Sequence, residues 1–178
     1  MKVMMHICCG ICAGSVAERL LTEGHEVTGY FFNPNIHPLE EYERRLDVAR
    51  VIAKSVGFSL EAGKYDPESW FQATIGLDKE PEGGRRCEVC YRLRLQETFR
   101  VMSERGLDAF TTTLTVSPHK PAYVVNPIGE EIAGDKFIAR DFKKKDGFNR
   151  ANEIAKKLGV YRQHYCGCVY SIGQEHED

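Results

Sequence analysis

Five of the seven cysteines crowd into two short runs, Cys8-Cys9-Gly10-Ile11-Cys12 and Cys87-Glu88-Val89-Cys90, and the other two form Cys166-Gly167-Cys168. Adjacent thiols and thiols three apart converge on a point, as metal ligands must. Disulfides in small secreted domains are instead spread to join distant loops, and an odd count leaves one thiol over. Cys87 and Cys90 fall at an expected helix start, on one face. The helix dipole there, with Arg85 and Arg86 beside it, is expected to favour their thiolates. Together with Cys9-x-x-Cys12 they form a double CxxC, a ligand set suited to zinc or an iron–sulfur cluster. The 74 residues between Cys12 and Cys87 far exceed the roughly 15–20 of a zinc ribbon, so the site must be assembled by the tertiary fold. A closed zinc site leaves Cys8 redundant, which favours a cluster over zinc or metal-free redox thiols. Spacing does not choose among Cys8, Cys9 and Cys12. Cys166 and Cys168 can close a strained, redox-active disulfide across their glycine, or serve as further ligands, or be plain buried thiols.

The elements that must hold these residues alternate in type. Strands are expected at Lys2 to Ile7, Glu26 to Phe32, Phe58 to Ala62, Ala109 to Val116 and Phe137 to Phe142. Helices are expected at Ala13 to Thr22, Pro38 to Val56, Glu68 to Ile75, Cys87 to Arg105, Asn126 to Ala133 and Arg150 to Leu158. Repeated strand–loop–helix units imply an α/β fold with a mostly parallel sheet covered on both faces. In such sheets ligands bind in loops leaving the carboxyl ends of strands. The Cys8 to Cys12 run occupies the first such loop, and Ser117-Pro118-His119 follows a later strand.

A chain of 178 residues is expected to form one catalytic domain, residues 1–178, that folds without disulfide staples. The opening Lys2-Val3-Met4-Met5-His6-Ile7 is too short for a signal sequence core, so a reducing, cytoplasmic setting is expected, away from membranes. Net charge is −2, but unevenly placed: residues 1–84 carry 8 Lys/Arg against 13 Asp/Glu, and residues 85–164 carry 16 against 10. The basic stretch fits a local phosphate-contacting face or a set of solvated helix surfaces. Arg44, Arg45, Arg92, Arg94, Lys143, Lys144, Lys145, Arg150 and Arg162 are the candidate phosphate contacts. Tyr91, Tyr161 and Tyr165 are candidate base-stacking platforms, or else packing residues.

The ordered set His6-Ile7-Cys8-Cys9-Gly10-Ile11-Cys12, Asn33-Pro34-Asn35-Ile36-His37-Pro38, Glu41-Tyr42-Glu43-Arg44-Arg45, Arg86-Cys87-Glu88-Val89-Cys90-Tyr91-Arg92-Leu93-Arg94-Leu95 and Leu158 through Ser171 resembles the QueH type of epoxyqueuosine reductase, from residue 2 to about 172. The resemblance implies a Rossmann-like three-layer sandwich related to the adenine-nucleotide α-hydrolases. It implies a 4Fe-4S cluster held by Cys8, Cys9, Cys87 and Cys90, with Cys166 and Cys168 as a catalytic redox pair. It implies an oxidoreductase that reduces the epoxide of epoxyqueuosine in a tRNA anticodon to queuosine, the last step of queuosine biosynthesis, without cobalamin. Epoxide reduction takes two electrons and a cluster moves one at a time, so an electron donor protein or other reductant is an expected partner, and Cys12 and Asp141 are candidate ligands for an additional iron. The family's first motif usually has proline where this chain has Ile11, which loosens the loop without removing a ligand.

For the proton source, Asp141 and His119 are candidates, each with a plainer role as a cap, salt bridge or loop hydrogen bond. His6 is expected to pack in its strand. The competing reading is a zinc-stabilised RNA-binding module without redox activity. A nucleotide-hydrolysing relative of the same fold is disfavoured, since cysteines stand where a glycine- and serine-rich phosphate cradle is required.

Overall fold

The computed structural model describes residues 1–172. Four strands, β1 (Lys2–His6), β2 (Glu26–Phe31), β3 (Ser59–Ala62) and β4 (Ala109–Thr112), pair in the order β3-β2-β1-β4, every pair parallel. The chain lays down β1, β2 and β3 in one direction, then crosses to place β4 on the other side of β1. Strand order therefore reverses at β1, and the crevice above the carboxyl ends of β1 and β4 is where such a sheet binds ligands. β1 reads Val-Met-Met-His after its first residue and is buried throughout those four, as a central parallel strand covered on both faces must be.

Helices α1 (Gly10–Thr22), α2 (Leu39–Val56) and α6 (Gly147–Leu158) pack together, α1 against both others. Helices α4 (Arg85–Glu104) and α5 (Ala122–Ala133) pack on each other and α4 on β1 and β4, while α3 (Pro67–Ala73) leans on α4. α2 ends on Gly57, whose φ of +89° only glycine adopts without strain. α3 is capped by Asp66, whose carboxylate accepts Ser69 N–H, with Pro67 next. No helix among the described residues is long and apolar enough to cross a membrane.

Several expected elements differ; α6, for one, begins at Gly147 rather than Arg150. α1 begins at Gly10, not Ala13, so Cys12 lies in its first turn and Cys9 at its N-cap. α5 begins at Ala122, four residues before the expected start, and contains Pro127; the missing N–H of Pro127 costs one bond to Tyr123 but does not stop the turn before it. The segment from Phe137 to Phe142 is not a strand. It makes a single bridge, Phe110 with Phe137, and is held thereafter by hydroxyls: Thr111 Oγ1 donates to Ile138 O, Thr115 Oγ1 donates to Arg140 O, and Phe142 N–H donates to Thr115 Oγ1. Threonine side chains take the place of the ladder, and β4 itself stops at Thr112 in favour of a 3-10 turn over Leu114–Val116.

Candidate active site: a thiol-lined crevice

The end of β1 is fixed by side chains from its neighbours. His6 is fully buried, its Nδ1 2.9 Å from Thr112 Oγ1 and its Nε2 3.2 Å from Phe32 O. The carbonyl can only accept, so Nε2 carries the proton and Nδ1 accepts from the threonine hydroxyl. Burial, then the nearby Arg94 charge, lower its pKa to about 3. One residue on, Asn33 Nδ2 donates to Ile7 O. Cys8 N–H donates to Thr113 Oγ1 at 3.1 Å, and that hydroxyl lies 3.3 Å from Cys8 Sγ. The chain then enters α1 without a side-chain cap, leaving Cys9 and Cys12 at the helix mouth.

The sulfurs of Cys8, Cys9 and Cys12 all lie within 4.8 Å of one another, and all three residues are buried. Cys9 Sγ and Cys12 Sγ approach to 2.9 Å. Hydrogen bonds from Cys12 and Cys9 hold the Cys8 thiol well below its usual range, aided by Lys120 and Thr113 against the cost of burial. The Cys12 hydrogen bond favours the Cys9 thiolate, but contact with Cys8 and burial outweigh it and push Cys9 up to about 12. Cys12 is pushed well up by its hydrogen bonds with Cys8 and Cys9 and by burial. The thiolate is thus favoured at Cys8 and disfavoured at Cys9 and Cys12. Sulfurs on a tetrahedral metal sit roughly 3.8 Å apart, given metal–sulfur bonds of about 2.3 Å. Three reduced, buried, convergent thiols fit a thiophilic group.

Cys87 and Cys90 stand in the first two turns of α4. Gly83 N–H donates to Cys87 Sγ at 3.2 Å. Contrary to the expected acidity, burial pushes Cys87 up to about 11 and also raises Cys90 against the pull of Arg94. The arginine invoked for them points elsewhere: Arg86 Nη1 is spent on the carbonyls of Leu77, Asp78 and Glu80, and its guanidinium stacks on Tyr170 at 4.4 Å. Both thiols feel Cys166 and Cys168 electrostatically, and Cys90 and Cys168 pack together with Trp70.

Cys166 and Cys168 are free thiols, as are the other five cysteines. Their loop is strapped down by α2. Arg45, 2% exposed, donates Nε to Glu41 at 2.6 Å, Nη1 to Cys166 O at 2.9 Å and Nη2 to Tyr165 O at 3.0 Å. Tyr161 donates to the same Glu41 carboxylate. His37 N–H donates to Gly167 O at 2.8 Å, and Tyr165 Oη donates to His37 O. Gly167 has φ +118°, and a Cβ there would stand 3.0 Å from Ile36 and 3.1 Å from Arg45 Nη1. Only glycine fits that bend.

One cavity gathers most of these groups. It is lined by Cys8, Cys9, Cys12 and Cys166, with Arg45, Arg94 and Lys120 among its walls and Arg162 at its rim. Cys87, Cys90 and Cys168 lie outside its lining. Arg45 and Arg94 are each 2% exposed, so neither is a surface phosphate contact, and Tyr91 is buried rather than open to a base. Asp141 accepts from Lys143 N–H and Nζ and belongs to a different surface hollow, consistent with its plainer role. Lys120 was not marked by spacing. Its only signal is position, directly after Ser117-Pro118-His119 in the loop that leaves β4.

Comparison with known proteins agrees with the geometry. The U34-tRNA thiolase NcsA from Methanococcus maripaludis with its [4Fe-4S] cluster superposes with TM-score 0.55 at 16% identity, covering 91% of this chain and 58% of that one. NMN synthetase from Francisella tularensis superposes with TM-score 0.56 at 14% identity, covering 98% and 70%. These likenesses define the fold: a Rossmann-like α/β sandwich with a parallel sheet, its first strand running into the cysteine loop. The sequence model described as Epoxyqueuosine reductase QueH matches residues 3–174. Epoxyqueuosine reductase QueH of Streptococcus pyogenes serotype M1 is 38% identical over 181 residues, spanning 96% of this chain and 70% of that one. Its namesake in Thermotoga maritima is 35% identical over 184 residues, spanning 98% and 92%. The chain belongs to the epoxyqueuosine reductase QueH family.

Proposed function

We propose that this chain is an epoxyqueuosine reductase, an oxidoreductase that converts the epoxide of epoxyqueuosine in tRNA to the alkene of queuosine. The observation that carries the reading is the coincidence of a family match over nearly the whole chain with a thiol-lined cavity at the strand-order reversal. The net change at the substrate is two electrons and two protons in, one water out. A four-iron four-sulfur cluster supplies one-electron transfer and a Lewis-acidic iron when bound. The residues assigned to hold it are Cys8, Cys9, Cys87 and Cys90. Their support is the convergence of Cys8 with Cys9, the bridging of Cys8 and Cys90 by the charge of Arg94, and the family pattern. Cys12, whose sulfur lies within 4.8 Å of those of Cys8 and Cys9, is the ligand available to an additional iron.

Cys166 and Cys168 are assigned as the redox pair that relays electrons from an external reductant. Their support is that Cys166 faces the cavity while Cys168 packs against Cys90, so the two thiols span the distance between both cysteine groups. Arg45, braced by Glu41, holds this strap by the carbonyls of Tyr165 and Cys166 rather than by its sulfurs, and Cys168 Sγ lies 3.5 Å from Ser171 Oγ. The RNA approaches along the exposed Arg44, Lys144, Lys145 and Arg162, and a base must leave its stack to enter. Arg44 stacks on the Tyr161 ring at 4.7 Å, which offers a cation-backed aromatic at the rim.

The test is to incubate anaerobically purified protein with a reductant and epoxyqueuosine-bearing tRNA, then digest the RNA and analyse its nucleosides by mass. Queuosine is expected to appear as one oxygen is lost. Unchanged epoxyqueuosine with iron-loaded protein would refute the assignment.

A further inference from the structure

Of the four cations that line the cysteine cavity, Arg45, Arg94, Lys120 and Arg162, two stand out, Arg94 and Lys120. Arg94 rises from α4 and is 2% exposed. Its Nε donates to Cys90 O at 3.3 Å and its Nη1 to Asn33 Oδ1 at 3.2 Å, while its buried Nη2 has no partner. Both acceptors are neutral. Asn33 is itself anchored on Ile7 O at 2.8 Å, so the guanidinium is held by the end of β1 and by its own helix, with one nitrogen's donors left over. A buried polar group without a partner is costly, and a buried charge more so. The groups that face Arg94 electrostatically are Cys90, Cys8, Cys166 and Tyr91, with no carboxylate among them. Lys120 reaches the same place from the loop after β4, half-buried, and faces Cys166, Cys8, Tyr91 and Cys9. Three of these partners are common to both cations. Arg45, by contrast, has each of its three nitrogens committed to Glu41 and to the strap carbonyls, and Arg162 is exposed at the rim.

Resting on the reductase reading, we propose that Arg94 and Lys120 form the site that receives the epoxide oxygen, with the unpartnered Arg94 Nη2 as its principal hydrogen-bond donor. Reduction breaks both C–O bonds of the three-membered ring and forms the carbon–carbon π bond. The external reductant provides two electrons, and the departing oxygen takes two protons and leaves as water. After the first C–O bond breaks, the oxygen carries alkoxide charge. Preorganised donors in a cavity poor in water stabilise such charge without reorganising. Thiols are weak donors, and the two cations supply what the cysteines lack. The product has no oxygen at this position, so the pair also distinguishes substrate from product.

The experiment uses iron-loaded full chain under anaerobic conditions and anticodon stem-loop RNAs carrying either epoxyqueuosine or queuosine, which differ at this site only in the epoxide oxygen. Affinity for each RNA is measured for wild type, Lys120→Met, Arg94→Gln and Arg94→Lys, with iron content and visible spectrum as controls. Wild type is expected to prefer the epoxide RNA. Lys120→Met and Arg94→Gln are each expected to lose about tenfold of that preference, the scale of one charge-assisted hydrogen bond. Binding of the queuosine RNA is expected to stay unchanged, and the single-turnover rate to fall about a hundredfold. Arg94→Lys is expected to recover part of the loss. If Arg94→Gln does not fold, Lys120→Met decides alone. Wild type that reduces the epoxide while these variants keep both the preference and the rate would overturn the oxygen site but leave the reductase reading standing. Iron-loaded wild type that does not reduce the epoxide would overturn both.

Discussion

His6 sits beneath the cysteine loop as a neutral ring, kept so by burial and by the nearby Arg94 charge, with Nε2 donating to Phe32 O and Nδ1 accepting from Thr112 Oγ1. With a folded pKa of about 3 against about 6.5 unfolded, the native state excludes a proton that the unfolded chain binds. Stability is therefore full above about pH 6.5 and falls as pH drops toward 3, with a slope approaching about 1.4 kcal/mol per unit from this group. Denaturant titrations from pH 7 to 4 on His6→Gln are expected to show a lower plateau at pH 7 and a shallower acid slope than wild type. Parallel slopes would show that His6 is not held neutral. The cysteines were legible at this scale because thiols at such spacings have few other uses. Their acidities were not: a helix N-terminus and adjacent arginines favour thiolates at Cys87 and Cys90, yet burial outweighs both and Arg86 turns to backbone carbonyls. Lys120 and the free nitrogen of Arg94 were likewise invisible, because a lysine in a loop and an arginine in a helix usually face water.

The turn from β1 into α1 shows why glycine follows the cysteine pair. A Cβ on Gly10 would stand 2.6 Å from Ala49 N and 2.7 Å from Val48 Cγ1, so α1 meets α2 backbone to backbone at the point where the loop closes. Gly10→Ala is expected to cost about 1–3 kcal/mol as an overpacked core and to lower the iron content, because Cys9 and Cys12 flank the displaced residue. Chemical denaturation with parallel iron analysis checks both; full stability and full iron would show that the two helices can part without cost. The strand–helix alternation and the parallel sheet were legible from hydrophobic runs and turn residues. The segment from Phe137 to Phe142 was misread because its β-rich composition satisfies threonine hydroxyls of β4 and the following turn rather than a backbone ladder. α1 was started late because cysteine and glycine carry no helix signal, although their backbone is helical from Gly10.

Across the whole molecule, distant stretches of chain are tied into one site by buried polar side chains. Asn33 links the end of β1 to Arg94 on α4, and Arg45 on α2 carries the 165–168 strap. Sequence order gave no hint of this pairing across 121 residues, since any exposed arginine would look the same. Arg45→Gln is expected to leave the sheet intact while raising hydrogen exchange through residues 161–171 by about tenfold or more, for two charge-assisted hydrogen bonds are lost. Exchange unchanged in the strap would mean that the His37 and Tyr165 contacts suffice. We propose that the thiol-lined crevice, loaded with iron and sulfide, performs the reduction. Single turnover of anaerobic protein on epoxyqueuosine tRNA, with nucleosides analysed by mass and the visible iron–sulfur absorption recorded on the same sample, tests it most directly. Wild type is expected to be brown and to form queuosine, with Cys8→Ser and Cys87→Ser losing both colour and conversion; a colourless protein with full conversion would contradict it.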